Sequence, residues 1–391
     1  QPTIFEKLPV AGGMLAVGIP EYRLPHDILQ REIDAIKQLG VDIKTGVALG
    51  KDFNLEELKK KGFDAVYLAT GAHSSLKMDI PGEAENEGVY HGVDFLRNIR
   101  LDQPQPVGKR VAVIGGGNTA IDAARTALRS GADEVTILYR RTRKEMPAEE
   151  VEIHAAEEEG VKIQYLTAPV EVIGRDGHLT KLKNIKMELG EPDESGRRRP
   201  VPIEGSEYEM DMDTVIIAVS QSPEMNYVDD KTGLKLTKWN TIVVDPETMQ
   251  SDLDWVFSGG DVVHGPDAVI TAMGDGKRAA ESIGKFLRKE PLKDFRTRRL
   301  PNVPERDDSS RPHSYAPPFN QTKKISRTKM RELDPEKRKE NFEEVELGYS
   351  EEEAVREAQR CLHCGICIEC HACETVCEAH CIDHEMQDEI K

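Results

Sequence analysis

No cysteine precedes Cys361, and all seven cysteines of this 391-residue chain crowd into its last turns. A disulfide framework staples separate elements and pairs its thiols, so an odd, clustered set argues against one. What remains is a metal or cluster site in a reducing compartment, and a cytoplasmic location is expected. No apolar run approaches the roughly 18 residues that a membrane span requires, so membrane insertion is not expected. The opening residues QPTIFEKLPV lack the basic start and apolar stretch of a secretory signal, and a chain without an initiator Met is consistent with one cut at its front. Basic charge is also in deficit. The formal net charge of −18 argues against a general nucleic-acid binder, because neutralising phosphates takes a basic surface. No internal repeat of fixed period and no motif for an organic substrate is visible.

What is present is an ordinary globular composition, 38% hydrophobic and 32% charged, in a chain long enough for more than one core. Residues 1–98 alternate a Gly-rich loop (AGGMLAVGIP), a helix-like stretch (DILQREIDAIKQLG) and an apolar strand (FDAVYLATGA). Residues 99–222 open as strand, glycine turn, helix and strand, then read as a hairpin-like insertion that returns through TVIIAV. Residues 223–291 resume the first grammar, with strand, glycine turn and a long amphipathic helix. Residues 292–348 turn Pro-rich and aperiodic, which predicts an extended arm. Residues 349–391 begin with SEEEAVREAQR, a helix capped by Ser350 with Glu353 at its third position, and end in the cysteines. The expected fold class is α/β.

In VAVIGGGNTA, Gly115, Gly117 and Ala120 fit G-x-G-x-x-A directly after an apolar strand and at the start of a helix. Glycine is needed where a β-carbon would collide with a pyrophosphate, and the first amides of the helix, around Asn118 and Thr119, then face its charge. The alternative is a turn that serves strand-to-helix packing alone. The next strand, VTILY, ends in Arg140 and Arg141, where an NAD site usually has a carboxylate. Two guanidinium groups there would pair with a 2′-phosphate, so NADP(H) is preferred over NAD(H). A solvated basic turn is the competing reading.

The spacing Cys361-x2-Cys364-x2-Cys367-x2-Cys370-x2-Cys373-x3-Cys377, with Cys381 beyond, contains the C-x2-C-x2-C-x3-C run of bacterial ferredoxins. One 4Fe-4S cluster is expected. A second would need a ligand from His363, His371, His380 or elsewhere, because two all-cysteine clusters take four thiolates each. Zinc and redox-active disulfides are the alternatives.

LATGA places Thr70 and Gly71 at the end of one apolar strand, and SGGD places Gly260 and Asp261 after another. Together with TIFEKLPVAGGMLAVGIPEYRLP, VAVIGGGNTAIDAARTALRSGADEVTILYRR, FSGGDVVHGPDAVITAMGDGKRAA and EAQRCLHCG, they resemble, in order and over nearly the whole chain, the small subunit of NADPH-dependent glutamate synthase. Relatives of that subunit include the large subunit of electron-bifurcating ferredoxin:NADP transhydrogenases. The resemblance implies two Rossmann-like dinucleotide-binding domains, the NADP(H) domain inserted in a split FAD domain, with a ferredoxin-like tail. It further implies FAD contacts from Glu6, Gly13, Thr70, Gly71, Gly260 and Asp261, and a helix beginning near Ala268 aimed at the isoalloxazine. Its chemistry is hydride exchange between NADP(H) and FAD, then one-electron transfer to the cluster, with no side chain acting as a catalytic acid or base. The family's first FAD glycine turn should precede TIFE and is not in this sequence. Either the leading unit is missing, a partner chain supplies it, or FAD is not bound. Ser220 is a further departure, where the family more often has glycine.

Three functions are therefore weighed: the flavin-dependent subunit just described, an FAD-less wiring or scaffold subunit, and a zinc-stabilised regulatory protein that binds NADP(H). Partner redox subunits are expected, whether a flavoprotein, a ferredoxin-type protein, an amidotransferase, or a hydrogenase or formate-dehydrogenase module. No residue chooses among them.

Overall fold

The computed structural model describes residues 1–193, 196–229, 232–293 and 326–359. They fall into two compact units, one within Gln1–Arg296 and Asp334–Val345, the other within Thr297–Leu333 and Glu346–Lys391.

The first unit opens with β1 (Thr3–Glu6), a glycine turn, the short α1 (Met14–Val17), α2 (His26–Gln38) and β2 (Asp42–Thr45). β2 runs parallel to β1 and sets Thr45 opposite Glu6. α3 (Leu55–Lys60) starts from a capping box in which the Asn54 side chain accepts from Glu57 N, satisfying a donor that the helix itself leaves orphaned. β3 (Val66–Leu68), β4 (Ser74–Ser75), β5 (Val89–His91) and α4 (Gly92–Arg100) follow.

Next come β6 (Arg110–Ile114), α5 (Asn118–Arg129), β7 (Glu134–Tyr139), α6 (Glu150–Glu158) and β8 (Lys162–Tyr165). An antiparallel excursion of β9 (Thr167–Arg175), β10 (His178–Pro192), β11 (Arg198–Pro202) and β12 (Tyr208–Asp211) precedes β13 (Thr214–Ile217). Five strands form a parallel sheet in the order β5-β13-β6-β7-β8. Because successive side chains alternate faces, Val111 and Val113 join Ile121, Ile137 and Ile153 in a core beneath α5 and α6. Ala112 and Ile114 turn the other way and pack with Val172, Leu179 and Leu182 of the antiparallel excursion. Covering on both faces explains why β6 and β13 read as continuous apolar runs.

β14 (Gln221–Ser222) pairs with β4, and β15 (Val256–Ser258) pairs in parallel with β3. α7 (Asp261–His264) and α8 (Val269–Arg288) leave β15. Phe53, Leu58, Leu68, Val256 and Val262 form a third core, against which Phe5 of β1 also packs. The segment holding α9 (Pro335–Arg338) docks on this unit through Arg338 to Glu158 at 3.2 Å and Val345 N to Tyr22 O at 3.0 Å.

The second unit holds α10 (Glu351–Ala358), where Ser350 and Glu353 form the reciprocal capping box expected from the sequence. Tyr349 donates to Thr328 O, and Glu357 accepts from Thr328 N. Among the described residues, no helix is long and apolar enough to cross a membrane.

Candidate functional site

The buried strand β6 runs straight into Gly115, Gly116 and Gly117, and α5 begins at Asn118. Gly115 sits at φ +147, and a β-carbon there would lie 2.3 Å from the Ala218 carbonyl oxygen. One on Gly116 would lie 2.4 Å from the Tyr139 ring. The fold alone therefore requires these two glycines. Gly117 differs. A β-carbon on it would meet nothing nearer than Pro147 at 3.9 Å, so no internal clash accounts for a glycine there. In dinucleotide-binding turns this is the position where the pyrophosphate approaches the backbone. Among the described residues, the amides of Gly117, Asn118 and Thr119 meet no backbone acceptor, so the first turn of α5 presents donors and the positive helix end together. Side chains brace the turn: Asn118 Oδ1 accepts from Glu149 N at 3.1 Å, and Thr119 Oγ1 from Gln221 Nε2 at 3.1 Å.

The structure separates the two arginines that follow β7. Arg140 is exposed and makes no hydrogen bond or ion pair among the described residues. Lost hydration first, then the Arg141 charge, with Arg197 acting in the same direction, hold its guanidinium below the ordinary value. Arg141 is buried and engaged. Its Nη2 donates to Asp193 Oδ2 at 2.7 Å and its Nε to the Arg198 carbonyl at 2.7 Å, both beyond the end of β10.

A second set of expected residues gathers at the C-terminal edge of β3 and β15. Those strands are parallel with Leu68 opposite Ser258, so Thr70 and Gly71 leave the sheet on the same side as Gly260 and Asp261. Thr70 Oγ1 lies 2.9 Å from the Tyr227 hydroxyl. Gly71 and Gly260 both have positive φ, +68 and +73, which suits glycine. Burial raises the Asp261 carboxyl. Glu6 ends β1; its Oε1 accepts from Leu8 N at 2.7 Å, yet burial leaves it raised. Gly13, at φ +54, is the N-cap of α1, and Ala268 is the N-cap of α8. Val269, Ile270 and Met273 stand exposed at the start of α8. An open glycine at Gly13, half-buried carboxylates at Glu6 and Asp261 and apolar side chains at a helix start form a set of residues that fits a flavin.

Sequence reasoning missed several groups. Asp275 is fully buried in α8 and accepts from Gly260 N at 2.8 Å, from His264 Nε2 at 2.9 Å and from Arg278. Burial alone would raise its pKa, but the Gly260 amide and Arg278 outweigh it and leave it lowered. Glu159 bridges Arg125 and Arg129 beneath the Tyr22 ring, and Asp122 holds Arg23 at 2.8 Å. Gln221 and Tyr227 were signalled by nothing but their neighbours. The expected metal ligands Cys361, Cys364, Cys367, Cys370, Cys373, Cys377 and Cys381 lie outside the described residues, as do His363, His371 and His380.

Residues 6–276 match the family described as pyridine nucleotide-disulphide oxidoreductase. The chain is 42% identical over 397 residues to the NADPH-Fe(3+) oxidoreductase subunit beta of Geobacter sulfurreducens, covering 93% of this chain and 57% of that protein. It is 36% identical over 300 residues to the glutamate synthase [NADPH] small chain of Halomonas elongata, covering 73% of this chain and 63% of that one. The chain thus spans a little over half the length of these curated relatives. Among solved structures, FprA of Mycobacterium tuberculosis in complex with NADPH superposes with a TM-score of 0.61 at 20% identity, over 73% of this chain and 78% of that one. That likeness is one of fold.

Proposed function

The chain belongs to the pyridine nucleotide-disulphide oxidoreductase family, alongside the glutamate synthase small chain and its relatives, and on that premise we propose that it is a flavin-dependent oxidoreductase subunit that exchanges hydride with NADP(H) and passes single electrons to a 4Fe-4S cluster and a partner redox subunit. The observation that carries this reading is the turn before α5. Gly117 is open where the fold does not need it to be, the following amides meet no backbone acceptor among the described residues, and an exposed Arg140 follows the next strand.

Each residue has a definite task. Gly115 and Gly116 let β6, β7 and α5 close on one another. Gly117 admits a pyrophosphate to the amides of Asn118 and Thr119. Arg140 supplies positive charge to a 2′-phosphate, which a carboxylate there would repel. Glu6, Gly13, Thr70, Gly71, Gly260 and Asp261, with the start of α8 at Ala268, would hold FAD. A bound flavin supplies the conversion between the paired electrons of a nicotinamide and the single electrons of an iron–sulfur cluster. No side chain need donate or accept a proton in the hydride step. The cysteines from Cys361 to Cys381 would hold the cluster. The Geobacter relative is named for NADPH and ferric iron and as one subunit of an enzyme, which supports a one-electron outlet and a partner.

Measuring flavin, iron and zinc in one anaerobic preparation tests the reading. About four irons per flavin are expected for a single cluster. Iron without flavin would leave a wiring subunit, or a chain lacking the leading unit that carries the first FAD glycine turn, while zinc without iron would end the electron-transfer reading.

A further inference from the structure

The loop between α4 and β6 borders a recess that takes no part in the glycine turn. A cavity of about 460 Å³ opens there, with an apolar lining from Ile99, Val107 and Phe342. It lies at the far end of α5 from that turn, because its wall includes Ser130, the C-cap of this 12-residue helix, and such a helix spans about 18 Å. The loop is fixed in place: the Tyr90 hydroxyl donates to Pro106 O at 2.8 Å, and Gln103 N donates to Asn98 O at 2.8 Å. Three side-chain oxygens on the wall are open to a donor. Gln105 Oε1 is covered by protein yet meets no hydrogen-bond partner. The exposed Asp102 makes no ion pair among the described residues. Ser130 Oγ donates its proton to Thr126 O at 2.9 Å, which leaves it lone pairs that accept. The C-terminal ends of α4 and α5 also meet here, and each carries partial negative charge. The basic side chains of those last turns are already matched, Arg97 to Asp94, Arg100 to Glu21 and Arg129 to Glu159.

A recess with an apolar lining and open acceptors calls for a ligand that brings donors, positive charge and an apolar body. We propose that it is a binding site for a small organic cation, an ammonium or guanidinium carried on a short hydrocarbon or aromatic body. The cation donates to Gln105 Oε1 and to the Asp102 carboxylate, and so satisfies a covered acceptor that is costly to leave unpaired. Its body lies on Ile99, Val107 and Phe342. Phe342 belongs to 334–345, the segment that docks on the first unit through Arg338 and Val345 while the residues on either side of it belong to the second unit. Ligand and segment share a contact, so each strengthens the binding of the other. Neither flavin nor dinucleotide is needed for this site.

Phenethylamine is the probe, and 3-phenylpropanoate, of similar size and opposite charge, is its control, both titrated into the full chain by calorimetry. The amine should bind about tenfold more tightly or better, as a charge-assisted pair set against a repelled anion requires. Gln105→Leu should weaken the amine about fivefold, the scale of one hydrogen bond, while the Tm of the unliganded variant stays level or rises because an orphaned acceptor is gone. A glutamine that serves the fold alone would give the reverse, a lower Tm with unchanged binding, and that result overturns the proposal. Asp102→Asn keeps a residue that tolerates the φ of +56 and should weaken the amine about two- to fivefold, and less at high salt. Hydrogen exchange across 334–345 should slow with the amine and stay unchanged with the anion. A chain of net charge −18 also attracts cations diffusely. A preference for the amine that survives both substitutions is that diffuse attraction, and it refutes the site. Equal affinity for amine and anion, or none for either, does so as well.

Discussion

Replacing Glu159 by glutamine removes one charge and almost no volume from the most enclosed ionic cluster described. Glu159 is fully buried, and its two oxygens accept four hydrogen bonds, from Arg125 at 2.7 and 3.1 Å and from Arg129 at 2.6 and 3.1 Å. Both guanidinium groups also lie over the Tyr22 ring, at 4.7 and 4.0 Å from its centroid. Burial by itself would raise the Glu159 pKa, but the two arginines outweigh it and leave it lowered. The amide keeps the shape, turns two donors toward other donors and leaves a buried cation short of its counter-charge. Breaking such a pair costs about 3–5 kcal/mol. Arg125 retains Glu152 at 2.5 Å, so the uncompensated group is Arg129 and the lower end, about 3 kcal/mol, is expected. That is roughly a hundredfold in the folding equilibrium. The control is Glu152→Gln, at a partly exposed site, which should cost about 1 kcal/mol. Urea unfolding of the full chain, followed by far-ultraviolet circular dichroism, measures both. Equal losses in the two variants would refute the claim that Glu159 is the keystone. The sign with pH follows: a carboxylate with a lowered folded pKa stabilises above its unfolded value, and that contribution fades as pH falls through the folded one. Glu159→Gln should lack this acid-side decline.

Three further outcomes are expected. Gly115→Ala drives a β-carbon to 2.3 Å from Ala218 O at a φ of +147, and should cost about 1–3 kcal/mol in thermal unfolding together with most of the affinity for NADPH in calorimetry. Asp122 is fully buried, which lifts its pKa to about 6 despite Arg23. The folded protein then binds a proton that the unfolded chain does not, so this group makes stability fall by about 3 kcal/mol as pH rises from roughly 4 to 6. Asp122→Asn should flatten that slope in unfolding titrations, and an unchanged slope would assign the pH dependence elsewhere. Asp275→Asn weakens the acceptor shared by the Gly260 amide and His264, and should lower the flavin retained per chain after gel filtration while iron content stays constant.

Local features were legible in the sequence because their causes are local. The G-x-G-x-x-A turn follows from a strand, a helix and glycines within ten residues, and Gly115 indeed occupies a conformation that a side chain would resist. The Ser350 cap and the helix after Ala268 rest on equally short signals. What escaped notice depends on distant partners. Arg141 finds Asp193 fifty-two positions on, so its burial is invisible in a run that reads as a basic turn. Arg125 and Glu159 look like solvated helix charges until α5 and α6 pack and enclose them. Asp275 sits in a polar GDG step whose purpose appears when the helix lies against Gly260. The strand Val89–His91 is too short for alternation to reveal, though it closes the edge of the parallel sheet. The cysteine pattern is a matter of spacing, and those residues lie outside the described ones.

These ionic details bear on how an acidic protein can hold a polyanion. With a net charge of −18, the chain as a whole repels a dinucleotide phosphate, and its field cannot steer one in. Affinity must then come from contacts at hydrogen-bond range, where a guanidinium or an amide outweighs charges lying beyond a Debye length of about 10 Å. Such contacts are easily lost to internal carboxylates. Arg23, Arg125, Arg129 and Arg141 are each paired to an aspartate or glutamate, and each serves the packing of the fold. Arg140, just after β7, makes no such pair among the described residues, and on the proposed reading its charge is left for a ligand. In a molecule rich in carboxylates, which cation is left unmatched is therefore more informative than how many there are.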